Sequence, residues 1–263
     1  MPTQKTTGIL LAALNILLFV GMIVVNGLAN GLPINGMTTG ELSALYPNLF
    51  VPAGLTFSIW GLIYLLLLVF VAFQLYAAIR QDADLLLPLK AQIVIGINFL
   101  LNMGWIFLWH YEKIFWSLIV MLGLLVTLIW LFRQIRIPLS KKSHLLVLRA
   151  PVSIYYGWIS VATIANVTAL LVSLNWGAWC IPPNAWTIIV MIAATILALL
   201  MLWKHACLAY ALVVIWAFTG IIIKRGAQSV VHSDIISAAW ILIGLITLMG
   251  IYTVVLQMKK ITK

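Results

Sequence analysis

Acidic residues are nearly missing from this chain: Asp and Glu together number five in 263 residues. All charged types make up only 8%, where water-soluble domains carry about 25%. That scarcity excludes a soluble globule. The long apolar runs contain no Asp, Glu, Lys or Arg away from their ends, whereas a pump or proton-coupled carrier uses a buried ionisable group. An ion-coupled transporter is therefore disfavoured, and a facilitator is not. Cysteine is as scarce. Cys180 and Cys207 are separated by one expected helix, which puts them on opposite sides of a bilayer where they should not pair. His205-Ala206-Cys207 has no further ligands nearby and reads as part of a loop, not as a metal site. There is no Ser/His/Asp constellation, no metal spacing and no phosphate loop. His110 with Glu112 is the one candidate acid–base pair, weighed against a solvated turn. A non-enzymatic role is expected.

What is present is apolar: 65% hydrophobic residues and a mean hydropathy of +1.17. Runs of about 20 apolar residues, separated by charged or Pro/Gly-rich breaks, predict eight membrane-spanning helices. They lie near 8–29, 54–79, 89–110, 114–132, 145–173, 185–203, 206–223 and 235–257, with Glu112-Lys113 as a tight turn between the third and fourth. The first run exceeds the roughly 7–15 residue core of a signal peptide and lacks a convincing cleavage site, so a retained helix is expected.

The net charge of +10 does not point to nucleic acid, because the cations sit in short turns between spans. Lys5, Arg80, Lys90, Arg133, Arg136, Lys141, Lys142, Arg149, Lys204, Lys259, Lys260 and Lys263 fall on one side of the alternating topology. Lys113, Lys224 and Arg225 fall on the other. This bias predicts cytoplasmic termini in a multi-pass protein of the plasma membrane. The long outer connection from Asn30 to Ala53 is punctuated by Gly and Pro yet carries Leu42, Leu45, Tyr46, Leu49 and Phe50. Two readings stand: a short amphipathic lid over the bundle, or an interfacial loop anchored by Tyr46 and Phe50.

Aromatic and polar residues recur at helical spacing on three spans. Phe57, Trp60 and Tyr64 share a face of the second. Asn98, Asn102, Trp105 and Trp109 share one on the third, and Tyr155, Trp158, Ala162 and Asn166 share one on the fifth. An amide within hydrocarbon needs a partner, so such faces point into protein or toward a bound molecule. Among the twelve tryptophans, Trp109, Trp116, Trp176, Trp179 and Trp186 lie at expected helix ends and suit the interfacial belt. Trp60, Trp105 and Trp158 lie within the stripes. Spacing alone leaves two readings open for these, a ligand pocket or helix–helix packing with amides as glue.

At these residues the chain resembles the TspO family, the tryptophan-rich sensory proteins related to the translocator protein. Trp158-x-x-x-Ala162-Thr163-x-x-Asn166, preceded by Pro151 and Tyr155, is similar to the family's Pro…Trp-x-x-Phe-Ala-Thr-x-x-Asn segment, with Val161 in place of Phe. Asn102-Met103-Gly104-Trp105 is similar to its Asn-x-x-Trp. Pro52-Ala53-Gly54 followed by Phe57, Trp60 and Tyr64 resembles its Pro-Pro…Phe…Trp-x-x-x-Tyr, with Ala53 for the second proline, Leu55 for a tryptophan, and a shorter Phe-to-Trp interval.

The resemblance implies an all-α integral membrane protein. It covers the first five spans, so residues 1–176 would form a TspO-like five-helix transmembrane bundle, and residues 177–263, outside the resemblance, would add about three C-terminal transmembrane helices. It also implies a receptor or carrier that binds a planar hydrophobic ligand, a porphyrin (haem-like tetrapyrrole) or sterol-like molecule, in a pocket beneath the first outer loop. By position the ligand-binding residues would be Trp60, Tyr64, Asn102, Trp105, Trp158, Ala162 and Asn166, with no metal and no certain cofactor. Each indole would add about 0.5–1.5 kcal/mol beyond area burial by stacking on a flat macrocycle. The partners expected are the lipid bilayer, the hydrophobic small molecule and a second copy in a homodimer, with no nucleic acid. The alternative is a membrane scaffold or permease-like subunit without a pocket.

Overall fold

The computed structural model describes residues 2–82, 85–135 and 145–261. Arg136, Lys141, Lys142 and Lys263, part of the charge bias, lie outside the described residues. The described chain is built of helices: α1 (Pro2–Gly31), α2 (Thr39–Ala44), α3 (Ile59–Arg80), α4 (Leu89–His110), α5 (Ile114–Gln134), α6 (Ala150–Ser173), α7 (Pro183–His205), α8 (Leu208–Gly226) and α9 (Ser233–Ile261). Among the described residues, eight helices are long and apolar enough to cross a membrane; only the short α2 is not a span. These match the expected runs to within about six residues at each end, the starts of α1, α3 and α6 differing most. The protein is a multi-pass, all-helical integral membrane protein.

Contact density divides the chain into two compact units. The first comprises Met1–Leu45 and Ile59–Ile159. Here α4 packs against α1 and α5, and α1 also packs against α3. Gly96 allows the close approach of α1 and α4, since a Cβ there would lie 2.8 Å from Asn15 Oδ1 and 3.1 Å from Leu18 Cδ1. Asn15 Nδ2 donates to the Gln92 carbonyl at 2.9 Å, and Asn98 Nδ2 donates to Thr127 Oγ1 at 2.8 Å. Such amide contacts join helices where lipid supplies no hydrophobic drive between them. The α3–α4 connection is sewn by two buried glutamines. Gln74 Nε2 donates to the Leu85 carbonyl at 2.9 Å, the Leu87 N–H donates to Gln74 Oε1 at 3.0 Å, and Gln92 Nε2 donates to the Leu87 carbonyl at 3.1 Å. Buried backbone groups in a turn need these partners.

The connection between α1 and α3 contains the short helix α2. Thr38 and Glu41 form a reciprocal capping box, the local signal that starts a helix after a Gly/Pro-rich stretch. Leu42 is buried, and α2 packs against α4. A single 3-10 turn, Ile34–Gly36, precedes it, and Asn35 Nδ2 donates to the His110 carbonyl at 3.0 Å.

The second unit comprises Tyr46–Ser58 and Ser160–Lys263. Here α7, α8 and α9 pack pairwise. Pro183 begins α7, where its missing N–H costs nothing, and Ala206 ends it in the left-handed conformation. The segment leading into α3 belongs to this unit and lies on α8. The Ala53 N–H donates to the Gly220 carbonyl at 2.9 Å, and Trp216 Nε1 donates to the Thr56 carbonyl at 2.9 Å. A Cβ at Gly220 would run into Thr56 Oγ1 and lie 2.8 Å from Pro52 Cβ, so only glycine permits this contact. Trp176, Trp179 and Trp186 form one cluster with centroids 5.1 to 5.9 Å apart. Cys180 is exposed and Cys207 buried, both as free thiols.

Candidate functional site: an aromatic and amide cluster

The first unit gathers three aromatic residues, Tyr64, Tyr155 and Trp158, around Trp60. Its ring stacks on Tyr64 at 5.5 Å and 24° and meets Tyr155 edge-on at 5.9 Å. It also meets Trp158 at 6.3 Å and 86°. Edge-to-face contacts of this kind set the negative face of one ring against the positive edge of another. Tyr155 then links the rings to the amides: Asn102 Nδ2 donates to its hydroxyl at 2.8 Å. Asn102 Oδ1 accepts from Asn26 Nδ2 at 2.8 Å, and Asn26 Nδ2 also donates to the Met22 carbonyl at 2.9 Å. Three helices, α1, α4 and α6, therefore share one buried polar chain. Its geometry holds each ring and amide in a single orientation.

Trp105 lies one turn beyond Asn102 on α4 and stacks on Trp109 at 5.8 Å and 19°. Trp109 was expected in the interfacial belt. It is buried instead, because its indole N–H donates to the Thr39 carbonyl at 3.4 Å, so α2 covers it. Trp116 and Trp179 are exposed as a belt requires. Ala162 and Asn166 continue the Trp158 face of α6 but belong to the second unit. Asn166 is buried and Ala162 half-buried.

The His110 side chain is fully buried, with Nδ1 3.4 Å from the Ile106 carbonyl. Glu112 sits exposed in the next turn with φ 53°. Burial of the imidazole keeps it from water, which is poor placement for a proton shuttle. Among the described residues, no group of three or more His, Cys, Asp or Glu side chains could hold a metal ion.

Three buried side-chain atoms near α2 have no hydrogen-bond partner: Thr39 Oγ1, Trp105 Nε1 and His110 Nε2. The Trp105–Trp109 stack and the Trp109–Thr39 bond tie Trp105 to Thr39, and His110 follows Trp109 in the chain. A buried donor or acceptor left unmade costs about 1–3 kcal/mol. Deeper in the unit, Phe70, Asn98, Phe99 and Tyr155 help line a cavity of about 10 Å³, room for about one water.

Spacing pointed to Trp60, Tyr64, Asn102, Trp105 and Trp158 but missed Asn26, Thr39 and the part played by Tyr155. Asn15 and Asn26 are eleven residues apart, three helical turns, so both amides of α1 face α4. That periodicity was the available signal. Thr39 carried none, since its importance arises from a loop folding back.

A family profile described as TSPO-like protein matches residues 12–252. No curated protein and no solved structure matches the chain. The profile runs past residue 176 and takes in α7, α8 and most of α9, so the likeness extends beyond the first five spans. The match covers well over half of the chain, which therefore belongs to the TSPO-like family.

Proposed function

We propose that this protein is a membrane receptor or carrier for a planar hydrophobic molecule, a porphyrin or a sterol-like compound. The observation that carries the reading is the set of unpartnered buried polar atoms, Thr39 Oγ1, Trp105 Nε1 and His110 Nε2, beside stacked indoles. A flat apolar ring system with a polar edge suits that combination: the indoles stack on its face, and the Trp105 N–H donates to a carbonyl or carboxylate oxygen. Asn102, held by Asn26 and Tyr155, is a second orienting group. Trp60, Tyr64 and Trp158 supply aromatic surface, and Ala162 and Asn166 extend the same helical face. Residues 1–176 carry the ligand in this reading, and residues 177–263 support them. The cation bias adds a cell-membrane location with both termini cytoplasmic.

The rings of Trp60, Tyr64, Tyr155 and Trp158 contact one another directly. That observation favours a second reading, a scaffold whose stripes are helix contacts. Titration of the purified protein with protoporphyrin IX, followed by tryptophan fluorescence, separates the two. A ligand site gives saturable quenching in the micromolar range, weakened by Trp105→Phe and by Asn102→Ala. Trp105→Phe keeps a stacking ring and removes the N–H, so it tests the unpartnered donor. Quenching that is non-saturable and identical in all three proteins leaves only the scaffold.

A further inference from the structure

Arg225 ends α8 as one of the largest fully buried side chains, 2% exposed. Nη2 donates to the Val51 carbonyl at 3.2 Å and Nη1 donates to Gln228 Oε1 at 2.9 Å. Nε is buried without a partner. Both acceptors are neutral, and no carboxylate pairs with Arg225 among the described residues. A guanidinium removed from water without a counter-charge is strongly unfavourable, and carbonyls at a helix C-terminus offset only part of that. Lys224, half-buried, adds a second cation beside it. The two are also exceptions to the charge bias, lying on the side that holds three cations against twelve.

Gln228 is exposed, and its amide oxygen occupies the position that a carboxylate or phosphate oxygen takes on an arginine fork. Exposed Ile223, Val230 and Val231 flank it in sequence and give apolar surface at the end of a membrane-spanning helix.

We propose that Arg225, with Lys224, binds a phosphate oxyanion that displaces the Gln228 side chain, supplied by an anionic phospholipid headgroup or by free phosphate. The planar fork suits two phosphate oxygens, and the neighbouring ammonium acts as a point charge. The site stands independently of the ligand reading above.

The test uses full-length protein in neutral detergent, titrated with phosphatidylglycerol, phosphatidylcholine or inorganic phosphate, and reads retained adducts by native mass spectrometry. The wild type is expected to retain phosphatidylglycerol over phosphatidylcholine, and Arg225→Gln to lose that preference by about tenfold. Competition by inorganic phosphate at millimolar levels assigns the site to a free anion, and its absence assigns it to the headgroup. Gln228 is a surface residue, so its variants keep the test decisive should Arg225→Gln fail to fold. Gln228→Ala opens the guanidinium and strengthens retention, whereas Gln228→Glu supplies an internal carboxylate and abolishes it. Equal retention of both lipids by the wild type with no phosphate adduct overturns the proposal. So does a phosphatidylglycerol preference that Gln228→Glu leaves unchanged.

Discussion

The Asn102 side-chain amide donates to the Tyr155 hydroxyl at 2.8 Å, joining α4 to α6 across the first unit. Removing either group tests how much that bond holds. Interhelical hydrogen bonds in membranes average about 0.6 kcal/mol, and net protein hydrogen bonds run about 0.5–1.5 kcal/mol. Tyr155→Phe is expected to fall in that range. Asn102→Ala should cost more, about 1–3 kcal/mol, because it breaks the bond from Asn26 Nδ2 as well as the bond to Tyr155. A double-mutant cycle, measured by denaturation in micelles, should give a coupling above about 0.5 kcal/mol. Additive losses would mean that the two groups act separately.

Gly220 is the contact point between α8 and the segment leading into α3. Gly220→Ala sets a methyl group against Pro52 and Thr56 and should destabilise by about 1–3 kcal/mol, the usual range for overpacking. Gly244 has open space around its Cβ position, so Gly244→Ala should be neutral or slightly stabilising. Comparison of their melting temperatures checks both. Thr56→Ser added to Gly220→Ala should not restore stability, because the oxygen, not the methyl group, is the nearest atom.

Stability of α2 should depend on pH through Glu41. Its carboxylate accepts from the Thr38 N–H at 2.7 Å and from the Thr38 hydroxyl at 2.9 Å. The backbone bond first, and the hydroxyl bond second, hold its pKa below the ordinary carboxylate value. The cap's contribution is therefore present above the unfolded glutamate pKa of about 4.3. It is lost as pH falls through the lower folded value. Hydrogen exchange of residues 38–45, corrected for intrinsic rates, should rise on acidification in the wild type. Glu41→Gln keeps an acceptor but should show a flat profile over the same window.

The two thiols give a check on topology. Cys180 is exposed and Cys207 buried, so a maleimide should label the first rapidly in micelles and the second only after denaturation. With cytoplasmic termini, a membrane-impermeant maleimide added to whole cells reaches Cys180 from outside. Labelling that appears only after permeabilisation reverses the proposed orientation.

The eight spans were legible in the sequence because hydrocarbon tolerates only long apolar helices, and residues such as Glu112-Lys113 and Pro182-Pro183 punctuate them. Half of the candidate site was legible for the same reason: helical periodicity puts Asn102 beside Trp105 and Tyr155 beside Trp158. The hydrogen bond from Asn26 to Asn102 was not, since it joins residues 76 apart in the chain, and periodicity has no knowledge of which face meets which helix. Trp109 shows the same gap. A tryptophan at a helix end normally faces the interface, but here α2 folds over it and accepts its N–H.

Composition alone thus determined that the chain lives in a bilayer and crosses it as helices, because the cost of an unpaired backbone group in hydrocarbon is local and the same at every position. Only the tertiary structure decided which polar atoms found partners. Arg225 is buried against the Val51 carbonyl while Trp105 Nε1 has none, an outcome set by distances between segments far apart in the chain, to which no window of sequence is sensitive.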